Sequence, residues 1–166
     1  KGQDVIKAIW SAKPYMPDGI INGKDTWDEV SKEDDNDEGY PYPWDINLNK
    51  MTMGIRKGEL TVLTAGSGVG KTTFEWELAY DMGVDKHLKV GMLMLEENVK
   101  RTVKGLMSIA AGKRLYINRQ GLSDEEFKAA FDKTMGTCNY VLYEHFVSLE
   151  GDNLMDKIRY MAVGEK

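Results

Sequence analysis

The segment Ala65-Gly66-Ser67-Gly68-Val69-Gly70-Lys71-Thr72 restricts the possible folds of this chain more than any other stretch. It follows a short β-rich apolar run, Leu60–Thr64, which is read as a strand. It precedes Phe74, Leu78 and Met82, spaced i, i+4, i+8 as on one face of a helix. Glycines at 66, 68 and 70 let the backbone curl so that successive N–H groups converge on one point. The N-terminus of the following helix adds partial positive charge there. Those are the requirements of a bound polyphosphate. The Lys71 amine has the reach to meet its outer phosphates, and the Thr72 hydroxyl suits Mg²⁺. The expected nucleotide-binding residues are therefore Gly66, Ser67, Gly68, Val69, Gly70, Lys71, Thr72 and Thr73, with Thr72 as metal ligand. The expected cofactors are Mg²⁺ and ATP or another NTP or dNTP. The pattern G-x-x-x-x-G-K-[ST] is missed by one methyl group, because Ala65 holds its first position.

Beyond the loop, strand-like and helix-like segments alternate. Val90–Leu95 is a continuous apolar run, expected to be a strand covered on both faces. Val99, Val103, Leu106, Met107 and Ala110 mark a helix. Ser123 and Glu126 have capping-box spacing and open a helix with Phe127, Ala130 and Phe131 inward. Tyr140–Tyr143 reads as another strand, and Leu154, Ile158 and Met161 as a last helix. The class is α/β with a mostly parallel sheet. Residues 1–50 read differently from 51–166. Val5, Ile6, Ile9 and Trp10 suggest a helix ending before Pro14, and Pro14, Pro17 and Gly19 punctuate a turn. Thr26 with Glu29 has capping-box spacing before the apolar pair Trp27 and Val30, and Glu33–Pro43 reads as a solvated linker.

The charge balance bounds the partners. There are 22 basic and 27 acidic residues, a net charge of −5, so no global basic field draws this chain to nucleic acid. No apolar run approaches the ~18 residues of a membrane span, and Lys1–Trp10 does not read as a secretory leader. A single cysteine, Cys138, forms no internal disulfide, and a cytoplasmic location is expected. Ten methionines read as adaptable packing.

Glu96 and Glu97 end the second apolar run. In a doubly wound sheet, ligands sit beyond the carboxyl ends of the strands, where a carboxylate can polarise an attacking water. Alternatively both simply begin the next helix, and spacing does not choose between them. His87 and His145 stand alone, so no metal cluster is expected from them. Tyr116, Tyr140 and Tyr143 read as packing residues, with stacking on bases the alternative, and Lys113 with Arg114 as a solvated helix end, with a phosphate contact the alternative.

Ile9–Gly19 resembles the segment joining primase to helicase in bacteriophage primase-helicases. Gly54–Leu60 followed by the glycine-rich loop resembles the entry to the RecA-like core of DnaB-type replicative helicases, and Lys89–Glu97 is similar to that family's second block. The resemblance implies a RecA-like P-loop NTPase core and a hexameric ring. Such a ring hydrolyses nucleoside triphosphates and unwinds DNA by moving 5′ to 3′ along one strand, in concert with other replisome proteins. It implies that Lys71 serves the phosphates and that Glu96 takes the catalytic base's place. It also implies that the Thr26–Ser31 stretch is the arm that docks on a neighbouring subunit. Residues 1–50 are then an inter-domain linker and docking arm. Residues 51–166 are the N-terminal part of the helicase domain, ending before the Walker B strand. The family's phosphate sensor, arginine finger and most single-stranded-DNA contacts lie after that strand. The chain is accordingly expected to be a fragment that binds nucleotide with negligible turnover of its own, its Leu60–Thr64 strand lacking a neighbour. The alternatives are a nucleotide-binding or oligomerisation module, or a RecA-like ATPase of recombination or DNA packaging.

Overall fold

A computed structural model describes residues 5, 21, 23–32, 39–44, 47–144 and 151–163. The expected helix through Ile6–Trp10, the Pro14–Gly19 turn, the acidic run Glu33–Glu38, and His145 lie outside the described residues. The chain divides into two compact units, 1–37 and 38–166.

In the first unit a 3₁₀ turn, Gly23–Thr26, runs into a one-turn helix α1, Trp27–Val30. The expected cap at Thr26 does not form. Its backbone is already helical, and its hydroxyl donates back to the Gly23 carbonyl at 2.7 Å. A capping side chain needs an extended residue to reach forward, and the 3₁₀ turn removes that geometry. Trp27 and Val30 are both exposed.

The second unit begins earlier than the expected boundary after residue 50. Helix α2, Asn47–Thr52, spans that boundary. Gly39–Pro43, expected as part of a solvated linker, is instead docked. Tyr40 forms a two-way antiparallel bridge with Ile55, at 2.9 and 2.8 Å. Tyr42 is buried. The Asn49 side chain accepts from the Tyr42 N–H at 2.7 Å and donates to the Tyr42 and Trp44 carbonyls at 3.1 and 3.4 Å. One amide thus supplies backbone partners that an irregular segment cannot supply for itself.

The rest alternates as expected. Helix α3 covers Lys71–Tyr80 and continues into a π-helical turn, Asp81–Asp85. Strand β1 is Val90–Met94, α4 is Val99–Ala111, α5 is Asp124–Thr134, β2 is Tyr140–Glu144 and α6 is Gly151–Val163. The two strands pair in parallel, Val90 opposite Tyr140 through Met94 opposite Glu144. The capping box at the start of α5 is complete: Ser123 accepts from Glu126 N–H, and the Glu126 carboxylate from Ser123 N–H. Among the described residues, no helix is long and apolar enough to cross a membrane.

Two expectations fail for the same physical reason. Leu60–Thr64 forms no strand, and Leu60 is 89% and Val62 71% exposed. β1 is not covered on both faces; only Met92 is buried. Strand preference measures the fit to a pleated, half-buried neighbour more than an intrinsic backbone bias. Among the described residues β1 and β2 pair only with each other. The second edge of β1 faces an open apolar hollow of about 640 Å³, lined by Ile55, Leu78, Met82, Val90, Met92 and Met94.

The same hollow borders one face of α3. Leu78 is half-buried there, and Phe74 stacks on Trp44 at 4.4 Å. The face of α3 that enters the core is instead Trp76, Ala79 and Tyr80, which cluster with Met92 and the fully buried Leu106. Burying one such leucine stabilises by about 1.5–3 kcal/mol. Met107, Leu115 and Ala130 form a second cluster between α4 and α5. Phe131, expected inward, lies 39% exposed beside Lys128.

Candidate functional site

The glycine-rich loop is curled although no strand leads into it. A turn at Ser67–Gly68 and a bend at Val69–Gly70 bring the chain into α3, whose N-cap is Gly70. Gly68 and Gly70 have φ of +77° and +101°, which L side chains rarely adopt, and no atom lies within 4 Å of where a Cβ would stand on either. The glycines are therefore required by backbone conformation, not by crowding. The Lys71 amine folds back over the loop and donates to the Ala65 and Gly66 carbonyls at 2.9 and 3.0 Å. That holds the cation at the mouth of the curl, against carbonyls that an incoming anion would replace.

Beside the loop is a cleft of about 250 Å³, lined by Lys71, Thr72, Glu75, Leu93, Met94, Leu95, Glu96 and Glu97. The end of β1 thus meets the first turns of α3, which is the meeting that the doubly wound reading requires. Neither glutamate begins a helix. Leu95–Glu97 is a bend, and α4 is capped by Asn98, whose side chain accepts from Arg101 N–H at 2.9 Å. At the far end of the bend, Val99 N–H donates to the Glu144 carboxylate at 2.9 Å. The bend is thereby fixed between the C-terminal ends of both strands.

The two glutamates differ in their surroundings. Glu97 pairs with Arg101 at 3.2 Å, and its other oxygen, Oε2, is buried without a hydrogen-bond partner. Glu96 is exposed and makes no hydrogen bond or ion pair among the described residues. The structure adds Glu75, which the sequence analysis missed. It stands one helical turn after Lys71, and that i, i+4 spacing was the available signal. Burial pushes the Glu75 carboxyl up from its ordinary pKa; the charges of Glu97 and Glu96 act in the same direction, and Lys71 opposes them. Electrostatically, then, the cleft is one cation facing several carboxylates.

Thr72 is half-buried in this cleft, and its hydroxyl makes no hydrogen bond among the described residues. Thr73 is exposed and lines a different hollow, with Trp76, Gly105 and Tyr116. Tyr116 packs on Trp76 at 5.4 Å. The Tyr140 hydroxyl donates to the Ala79 carbonyl at 3.0 Å, and burial pushes its pKa up. Lys157 lies over the Tyr143 ring. All three tyrosines are thus engaged in packing. Lys113 and Arg114 are exposed beyond the end of α4, as are His87 and Cys138. Among the described residues, no group of three His, Cys, Asp or Glu side chains is arranged to hold a metal ion by itself.

Comparison with known proteins yields two findings. Residues 45–162 match the family model of the DnaB-like helicase C-terminal domain. The chain is also 31% identical, over 171 aligned positions, to a protein of Enterobacteria phage T3 described as DNA helicase/primase. That match covers 98% of this chain and 30% of the phage protein, so the chain spans about a third of its relative's length.

Proposed function

This chain belongs to the DnaB-like helicase C-terminal domain family, and from that premise we propose that Ala65–Thr72 is the phosphate loop of an ATP-driven replicative DNA helicase. In this reading the core is RecA-like, and the segment supplies the helicase's nucleotide-binding portion. Gly66–Gly70 wrap the polyphosphate with backbone N–H groups, Lys71 neutralises the outer phosphates, and Thr73 closes the first turn of α3. Glu96 is the catalytic base. Of the paired glutamates it is the one with no cation of its own, so it is free to orient a water and accept its proton.

The donors suit Mg²⁺. It prefers hard oxygen ligands, and the cleft presents the Thr72 hydroxyl and the orphaned Glu97 oxygen. Thr72 would hold the ion, which would neutralise part of the polyphosphate's charge. Single-stranded DNA as the track, a hexameric ring assembled through the Thr26–Ser31 arm, replisome partners and a host-cytoplasmic location are part of the same proposal, supported by family membership. The ring would act mainly through residues other than those of this loop.

The observation that carries the reading is the Lys71 amine seated on the Ala65 and Gly66 carbonyls at the mouth of a curled, glycine-rich helix N-terminus. Equilibrium titration with a fluorescent ATP analogue in excess Mg²⁺ tests it. Lys71→Ala should weaken binding by roughly tenfold or more, since a charge-assisted hydrogen bond contributes about 1.5–3 kcal/mol. Equal affinity of variant and wild type, or no binding by the wild type, refutes the assignment.

A further inference from the structure

The roles assigned above leave Glu75 without one. It shares a face of α3 with Lys71, and both line the cleft that holds Glu96 and Glu97. The fixed charge of that region does not balance. Within the cleft three carboxylates stand against Lys71 and Arg101, and Arg101 is committed to Glu97 at 3.2 Å. Arg56, Lys57 and Lys89 line the neighbouring hollow that Glu75 also reaches, Arg56 paired with Glu59 and Lys89 donating to the Cys138 carbonyl, and none of the three pairs with Glu75. Glu96 is reserved for the reacting water. Glu75 makes no hydrogen bond or ion pair among the described residues. It is the surplus negative charge.

A carboxylate in that position repels any polyphosphate entering the loop. The repulsion scales with the charge of the ligand. A bound divalent cation cancels two of the nucleotide's negative charges, so the metal complex is repelled much less than the bare nucleotide. Lys71, by contrast, attracts the bare nucleotide more strongly, and without Glu75 the loop would favour it. We propose that Glu75 is a specificity-determining residue, a fixed negative charge beside Lys71 that makes this loop select the magnesium complex of a nucleoside triphosphate over the metal-free nucleotide. The inference rests on the nucleotide reading of the loop. It adds that metal discrimination resides partly in a side chain that coordinates nothing.

The test is a pair of titrations on the full chain with a fluorescent ATP analogue, one in excess Mg²⁺ and one in EDTA. The quantity read is the dissociation constant in EDTA divided by that in Mg²⁺. Glu75 is exposed, so its replacement leaves the core untouched. Glu75→Gln should lower the ratio by about tenfold, mostly through tighter binding of the metal-free analogue, as expected for one unit charge at close range in a partly solvated cleft. Glu75→Asp keeps the charge and should keep the ratio near that of the wild type. A Glu75→Gln ratio within twofold of the wild type overturns the proposal while leaving the nucleotide site standing. So does an Asp variant that loses discrimination as fully as Gln, because charge would not then be the cause. Failure of the wild type to bind the magnesium complex refutes the nucleotide reading itself, and this inference falls with it.

Discussion

Replacing Gly105 with alanine should destabilise the fold, although alanine is the better helix former. Gly105 lies mid-helix in α4, where the exchange ordinarily stabilises by about 1 kcal/mol. Here a Cβ would stand 2.3, 2.5 and 2.6 Å from three atoms of the Trp76 indole. Ordinary contact begins at 3.4 Å, so the ring would have to retreat by about an ångström. It has little room to do so. Trp76 is 4% exposed, Tyr116 packs beside it, and Leu106 lies in the same cluster. Overpacking of a rigid core group costs about 1–3 kcal/mol, with the clash at the upper end, so the net expectation is a loss of about 1–2 kcal/mol. Urea unfolding, followed in parallel by tryptophan fluorescence and far-ultraviolet circular dichroism, should show a lower midpoint with an unchanged slope. Trp76→Leu removes the ring atoms the new methyl meets, so the double variant should be less destabilised than the two single effects added together. Trp76 lies on α3 five residues after Lys71, so the same displacement should weaken nucleotide binding. An unchanged or higher unfolding midpoint for Gly105→Ala would refute the packing argument, and strict additivity with Trp76→Leu would refute the identity of the clash.

Two further outcomes can be checked by the same unfolding assay. Asn49→Ala removes both side-chain donations and the one acceptance that fasten Tyr42 and Trp44. At ~1 kcal/mol per net hydrogen bond, with the 3.4 Å bond to Trp44 contributing least, it should cost about 2–3 kcal/mol, with a red shift of tryptophan emission as Trp44 leaves Phe74; unaltered emission would mean that the segment is held otherwise. Ser123→Ala breaks the capping box of α5 and should lower stability by about 1 kcal/mol, whereas Thr26→Ala, whose hydroxyl caps nothing, should have no measurable effect on helicity.

How much could be read in advance varies with the kind of signal. Capping at Ser123 was legible because its chemistry is local: residues three apart in sequence exchange hydrogen bonds. Thr26 shows the limit of that reasoning, since the same spacing fails when the preceding turn is already helical. The spacing of Phe74, Leu78 and Met82 places them on one face but does not say what that face meets. Phe74 stacks on Trp44 and Leu78 is half-buried at the hollow, and of the three only Met82 is buried. Glu75 was overlooked because its i, i+4 spacing from Lys71 is common on any solvated helix and acquires meaning only when Glu96 and Glu97 line the same cleft.

The chain's local chemistry alone pointed to the glycine-rich curl, the Ser123 cap, most of the alternation of strand and helix, and the candidates Lys71 and Thr72, whereas Glu96 was set apart from Glu97 only by the family resemblance. The local signals depend on dihedral preference and on neighbours a few bonds apart. Tertiary structure alone decided three other matters: that Leu60–Thr64 has no strand to pair with, that Gly39–Trp44 is docked by Asn49, and that Glu75 joins the carboxylates facing Lys71. Each depends on groups distant in sequence meeting in space, and hydrogen bonding, burial and charge act across that distance only after the chain has folded.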